Sequence, residues 1–493
     1  MKKVNLSKLK VLCTLFLTVL VLGVQDANAQ FWKKKKKEVK TAPAKKTPPK
    51  KKGKSIKDLT KSSKKIEGLF TIYQDTVTGS VKLLVKENQL NKDFIYFSQI
   101  ADGVTEAGQF RGAYQGSSVF HVKKYFNKLD FYAPNTSFYF DKNSALSKSA
   151  KANISDAVIA SGIILASDDK KGEYLIDANG LFLSETFTTI KRPRRPGTSP
   201  FAFSLGRFDK NKSKINEIKN YPENTNVKTE YVYSNPSVLN GGSAAVTDGR
   251  NVSIKVFHTF MNMPKEDFKP RMDDARVGYF LTQTNDMTTT NTINYRDMIH
   301  RWKLIKKNPN AAISEPVTPI TWWIENTTPL KWRETIKEGV LAWNEAFEKA
   351  GFKNAMVVKV QPDDADWDAG DVRYNVLRWT SSPNPPFGGY GPSFVNPRTG
   401  EILGADIMLE FVHFTNRVFA DRLYNDAASN MKLETLEELK NKQLFEKHNP
   451  KFCSMGHVVH DNMQLGSAVL QASGASDLDM ETLRKEGMKS LIM

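Results

Sequence analysis

One stretch, Thr328 to Phe411, constrains the fold of this chain more than any other. Ile336, Val340, Trp343, Phe347 and Ala350 recur at helical spacing, with Arg333, Lys337, Glu345 and Glu348 elsewhere on the helix. Thr328 before Pro329 predicts the start: an N-cap hydroxyl, then a ring already set at helical φ. Gly351 predicts the stop, because helices often end on a left-handed residue. Met356–Gln361 and Val372–Thr380 then read as strands, followed by the glycine-rich Gly388-Gly389-Tyr390-Gly391. Phe394 to Ile402 reads as strand, turn and strand, with the turn at Asn396 to Gly400. Leu403–Phe411 leaves that turn as a short strand at a sheet edge, and a free edge can pair with an extended peptide.

The chain has 493 residues and a formal charge of +19. That charge resembles a nucleic-acid signature only until it is located. Residues 1–65 hold 20 Lys, no Arg and three acids (Asp26, Glu38 and Asp58), leaving 52 basic and 50 acidic residues elsewhere. The folded part is close to neutral, so no nucleic-acid partner follows from it. A hydrophobic content of 40% with 11% aromatics suits globular domains with cores.

Residues 1–29 read as a secretory signal peptide. Lys2, Lys3, Lys8 and Lys10 form the basic region, Val11 to Val24 the apolar run, and Ala27-Asn28-Ala29 the small residues before cleavage. The apolar run is shorter than the roughly 20 residues that span a bilayer. The expected location is therefore outside the cytoplasm: periplasm, outer surface or medium. With Cys13 inside the leader, Cys453 is the remaining thiol, so no intramolecular disulfide is expected. Residues 30–55 are rich in Lys and Pro and read as a disordered linker, whose positive charge allows weak contact with an anionic envelope surface.

From Ile66 the pattern is β. Leu69–Gln74, Val81–Lys86 and Asp93–Gln99, separated by turn residues, predict a small β domain over 56–105. Ser118–Lys124, Leu129–Tyr132, Ile163–Ala166, Tyr174–Ile176, Gly180–Ser184, Asn226–Tyr233, Asn251–His258 and Arg276–Gln283 extend it into a mostly β domain over 106–315. Pro316–Glu325 closes the pattern, and residues 316–493 form the last domain, helical from about 420 onward. Lys191–Pro200 reads as an exposed loop. The β half carries no phosphate loop and no metal spacing.

No H-E-x-x-H is present among the seven histidines. His457 and His460 sit three apart, as metal ligands on one helix face do, but lack an evident third ligand. Asp363, Asp364, Asp366, Asp368 and Asp371 alternate as in a calcium loop. With Asp364 as first ligand the sixth position is Ala369 and the twelfth Asn375, so the EF-hand pattern fails; an irregular calcium site or a solvated turn remains. Gly388 to Gly391 lacks the Lys-Ser/Thr of a phosphate cradle, and Pro392 follows it.

The order helix, two strands, glycine loop and edge strand resembles the upper subdomain of metzincin-type zinc proteases. WNEAFEKAGF, DVRYNVLRW and NPRTGEILGADI are similar to the zinc-dependent metallopeptidases of Bacteroidetes, in which two domains of unknown function precede a Met-zincin domain. PRMDDARVGYF and the early hairpins share the likeness, which covers residue 56 to the end. The resemblance implies a mixed fold: a mostly antiparallel β half, then an α+β unit of helix, mixed sheet and edge strand. It implies peptide-bond hydrolysis at a Zn²⁺ held by three histidines, with a glutamate as general base. Those ligands are not in this sequence, and no catalytic or metal residue is carried over.

What the resemblance places here is the substrate side. Gly404, Ala405, Asp406, Ile407, Met408 and Leu409 form the strand that pairs with a polypeptide substrate, and Gly388, Gly389, Tyr390 and Gly391 form the loop above it. Ser476 and Asp479 begin a helix as a capping box, and Leu491, Ile492 and Met493 are apolar. The expectation is a chain cut ahead of the zinc helix and inactive alone. The alternative is a non-catalytic polypeptide-binding protein of the periplasm or cell surface.

Overall fold

The structure, a computed structural model, describes residues 54–414 apart from 266, 384 and 386. The leader at 1–29, most of the 30–55 linker, the helical segment expected from about 420, and Cys453, His457 and His460 lie outside the described residues.

Twelve strands form one curled sheet. In chain order they are β1 (Ser63–Ile66), β2 (Thr71–Asp75), β3 (Val81–Lys86), β4 (Asp93–Asp102), β5 (Tyr114–Tyr125) and β6 (Lys128–Ala133). There follow β7 (Ala157–Asp168), β8 (Glu173–Asp177), β9 (Arg207–Phe208), β10 (Lys214–Asn220), β11 (Asn224–Ser234) and β12 (Asn251–Asn262). Their spatial order is β1-β2-β3-β8-β7-β6-β5-β4-β12-β11-β9, with β10 also on β11, and neighbours run antiparallel. The expected small domain over 56–105 does not stand apart. β4 is hydrogen-bonded to β5 on one side and β12 on the other, so both expected β domains share one sheet.

The curled sheet encloses large inward residues. Phe70, Phe94, Phe120, Phe131, Phe182 and Phe260 meet in one buried cluster, with edge-on contacts such as Phe70 and Phe120 on Phe260 and an offset stack of Phe94 on Phe120. The two ends of the sheet are tied where the β1–β2 loop meets the β10–β11 turn. Leu69 N donates to Tyr221 O at 2.7 Å, and Asn220 Nδ2 donates to the carbonyls of Ile66 and Phe70. Midway along, His258 is fully buried. Tyr96 Oη lies 2.8 Å from its Nδ1, and Tyr231 Oη and Thr229 Oγ1 lie 3.0 and 3.1 Å from its Nε2.

Two expected strands fail for local reasons. Over Gly180–Ser184 the chain instead makes one helical turn, Asn179–Phe182, seeded by Asp177, whose Oδ1 accepts from Asn179 N; Leu181 and Phe182 are thereby buried. Of Arg276–Gln283 only Leu281–Thr282 pairs, since Arg276 folds back onto Asp274 and Val277, Tyr279 and Phe280 stay exposed.

The second sheet has seven strands: β13 (Arg301–Trp302), β14 (Ile320–Ile324), β15 (Met356–Val360), β16 (Asn375–Thr380), β17 (Gly389–Tyr390), β18 (Ser393–Val395) and β19 (Glu401–Glu410). Its order is β13-β19-β16-β14-β15, all parallel, with β17 and β18 antiparallel on β19. The fold is therefore mixed, a mostly antiparallel β half followed by an α+β unit.

Helix α1 (Leu330–Leu341) covers one face of this sheet, burying Trp332, Ile336 and Val340 against Trp322, Ile324, Leu377 and Leu409. The expected continuous helix is broken at Ala342, where α2 (Trp343–Lys349) begins. Ala342 itself keeps helical dihedrals, φ −57° and ψ −28°; Trp343 is 44% exposed and Ala350 exposed, while Trp332 joins Ile336 and Val340 in the core. Thr328 does not cap the helix. Pro329 occupies the N-cap, and the Thr328 hydroxyl is buried without a hydrogen bond among the described residues. Gly351 does end the helical segment in the left-handed region, at φ +91°.

Candidate functional site

β19 organises the candidate site, though not as an edge. Val376, Leu377, Arg378 and Trp379 of β16 pair with Asp406, Ile407, Met408 and Leu409 along one side. Gly389 and Tyr390 of β17 pair with Leu409 and Met408 on the other, and Ser393 and Phe394 of β18 with Ala405 and Gly404. The expectation that Gly404–Leu409 offers a free edge is corrected: both its rows of backbone groups are engaged. The chain reverses after Phe387 and lies down as an extra strand on β19, instead of forming a loop above it.

Among the described residues the free edge is therefore one strand further out. Glu410 N donates to Gly388 O at 3.0 Å and Asp406 N to Pro392 O at 3.1 Å, while Tyr390 is registered on Met408. Positions 388, 390 and 392 thus turn their backbone toward β19. By the two-residue alternation of antiparallel pairing, 389, 391 and 393 turn theirs away. Two of those three are glycine, so no side chain beyond Cα crowds the approach, and Gly391 is exposed. The far end is covered, because Ser117 Oγ of the first sheet donates to Val395 O. Tyr390 anchors the strand from beneath, packing on Phe110 and Phe387 and placing its hydroxyl 3.3 Å from Tyr114 N.

Behind this rim lies a buried set of charges at the contact with the first sheet. Arg378 and Asp406 are each 1% exposed, with Nη1 3.6 Å from Oδ2, and Arg378 Nη1 donates to Gln99 Oε1 of β4 at 3.3 Å. Burial pushes the Asp406 carboxyl up to about 7, while the Arg378 guanidinium and the Val376 N–H pull the other way. At the carboxyl ends of the parallel strands, Glu325 accepts from Arg111 Nη2 at 2.6 Å, Trp379 N at 2.9 Å and Thr327 Oγ1 at 2.8 Å. Glu410 accepts from Thr380 Oγ1, Ser382 N and Ser382 Oγ. Glu325 and Glu410 are thus engaged by neutral and cationic donors, which hold the strand ends in place.

Sequence reading missed Arg378, Glu325, Glu410 and Arg111. One signal was available: an arginine inside the apolar run Val376-Leu377-Arg378-Trp379 is unusual for a buried strand and marks a partnered charge.

The aspartate-rich loop does not gather around a point. Asp368 pairs with Lys228 at 3.4 Å and Asp371 with Arg373 at 2.7 Å, while Asp363, Asp364 and Asp366 are exposed. Among the described residues no three His, Cys, Asp or Glu side chains are placed to hold a metal ion, so neither zinc nor calcium has a fitting donor set there.

A family described as a domain of unknown function (DUF5117) matches residues 112–307. That span runs from the end of the β4–β5 loop to just past β13. No curated protein and no solved structure matches the chain.

Proposed function

We propose that the second sheet is the polypeptide-binding side of an exported zinc-dependent metallopeptidase, with the β17–β18 edge receiving the substrate as an added strand. The observation that supports this reading most directly is the outward backbone of Gly389, Gly391 and Ser393 on an outer strand of a mixed sheet. An extended peptide laid there would gain main-chain hydrogen bonds without displacing a side chain at the two glycines. The order of helix α1, β15, β16, the glycine strand and β19 agrees with the resemblance drawn from the sequence.

No H-E-x-x-H occurs in the sequence, so the part this proposal gives to the described residues is to bind and orient the substrate. A fluorescently labelled, unfolded casein peptide titrated into the full chain tests the binding half. Saturable binding without cleavage, with or without added Zn²⁺, is the expected result. No binding would remove the reading, and cleavage by this chain with Zn²⁺ would show that the metal site is misassigned. The second reading, a non-catalytic polypeptide-binding protein, uses the same edge and is favoured by the lack of a metal-ligand set among the described residues.

A further inference from the structure

The tip of the β5–β6 hairpin carries an unusual residue. Two residues, Phe126 and Asn127, connect Tyr125 to Lys128, and such tight connections favour Asn and Gly because they require positive φ. Phe126 holds φ +48° and is 80% exposed. A bulky aromatic side chain in the left-handed region and in water works against both folding and solubility, the pattern of a residue kept for contact with something else.

Its surroundings extend the same face. Cross-strand register aligns Tyr125, Lys128 and Ile163 in one row over β5, β6 and β7. Ile163 is 66% exposed although β7 is paired on both sides, and Leu165 is exposed beside it. Residues 157–167 contain no charge. Residues 119–129 contain Lys123, Lys124 and Lys128 and no acid. Two acids touch this group: Asp130 is buried, accepts from Ser161 Oγ and pairs with Lys128 Nζ at 3.2 Å, and Glu87 accepts from the Tyr174 hydroxyl that Lys124 approaches at 3.2 Å. Apolar and aromatic side chains projecting at a tip, with the exposed Lys124 beside them, complement a surface that is anionic outside and apolar a few ångströms in.

We infer that the Tyr125–Phe126 tip docks this protein on an anionic lipid bilayer, inserting the two rings while the exposed Lys124 meets the headgroups. This surface is separate from the β17–β18 edge and does not depend on the proposed peptide binding.

The test uses the full chain, so that the lysine-rich N-terminal segment is the same in every sample. Vesicles of phosphatidylcholine mixed with phosphatidylglycerol should sediment the protein, and phosphatidylcholine alone should do so far less. Phe126→Asn should weaken sedimentation by about tenfold or more, with the thermal unfolding midpoint unchanged or raised, because Asn suits the backbone better. Phe126→Trp should add a blue-shifted emission, beyond that of the parent, when mixed vesicles are present. Equal sedimentation of Phe126→Asn and parent, no added blue shift, or failure of the parent to sediment would each overturn the inference. The first two would assign lipid binding to the N-terminal lysines, and the third would leave the tip to a protein partner.

Discussion

Arg378 and Asp406 sit diagonally across the parallel strands β16 and β19, 3.6 Å apart and each 1% exposed, at the contact of the two sheets. Asp406 Oδ2 and Arg378 Nε make no hydrogen bond among the described residues. The pair is thus held by charge and by burial more than by geometry, and its two members should respond differently to mutation. Asp406→Asn leaves a buried guanidinium without a counter-charge and should cost about 3–5 kcal/mol. Arg378→Met leaves a carboxyl that can take a proton, so it should cost less and lose more stability at pH 8 than at pH 6. The sign follows from the raised Asp406 carboxyl: stability it contributes is present below the unfolded value of 3.8 and is lost as pH rises through about 7. Urea unfolding of both variants at the two pH values checks the asymmetry.

The peptide-binding edge separates two substitutions at one residue. A Cβ at Gly391 would meet nothing closer than 3.6 Å, so Gly391→Ala should fold and bind as the parent does. Gly391→Pro removes the outward N–H and should reduce affinity for an extended peptide about tenfold, with the fold retained. Fluorescence anisotropy with the labelled casein peptide reads both, and equal affinities would move the binding site elsewhere.

His258 predicts acid sensitivity. Burial lowers its pKa to about 3 from an ordinary 6.5. The unfolded chain binds this proton first, so stability is intact above pH 6.5 and falls as pH drops toward about 3. The loss between 6.5 and about 4 should be on the order of 3 kcal/mol. In a pH series of urea midpoints, His258→Gln should lower stability at pH 7 yet flatten this slope. An unchanged slope would place the acid sensitivity on other groups.

Closure of the curled sheet rests on a glycine. A Cβ at Gly68 would fall 2.1 Å from Asn220 Oδ1 and 2.8 Å from Tyr221 N, at the point where the β1–β2 loop meets the β10–β11 turn. Gly68→Ala should therefore destabilise by about 1–3 kcal/mol. Hydrogen exchange should show the loss first in Leu69 and Phe70, whose amides bond to Tyr221 O and Thr225 Oγ1. Protection there equal to the parent's would argue that the ends are held by the Phe70 ring cluster alone.

The sequence by itself located several strands of the β half, among them Val81–Lys86, Asp93–Gln99 and Asn251–His258, because alternation and turn residues act within a few positions. It also determined the helical segment ending at Gly351 and the strand–turn–strand around Asn396 to Gly400, since caps and tight turns are local chemistry. Only the tertiary structure decided what lies beside what. Strand period 2 says which face a residue takes but not which strand is its neighbour, so Gly404–Leu409 read as an edge until β17 and β18 were laid along it. For the same reason, two expected β domains became one sheet, closed by contacts between residues about 150 positions apart. The buried partners of Arg378 and His258 come from strands distant in sequence, and only packing brings such groups within hydrogen-bond reach.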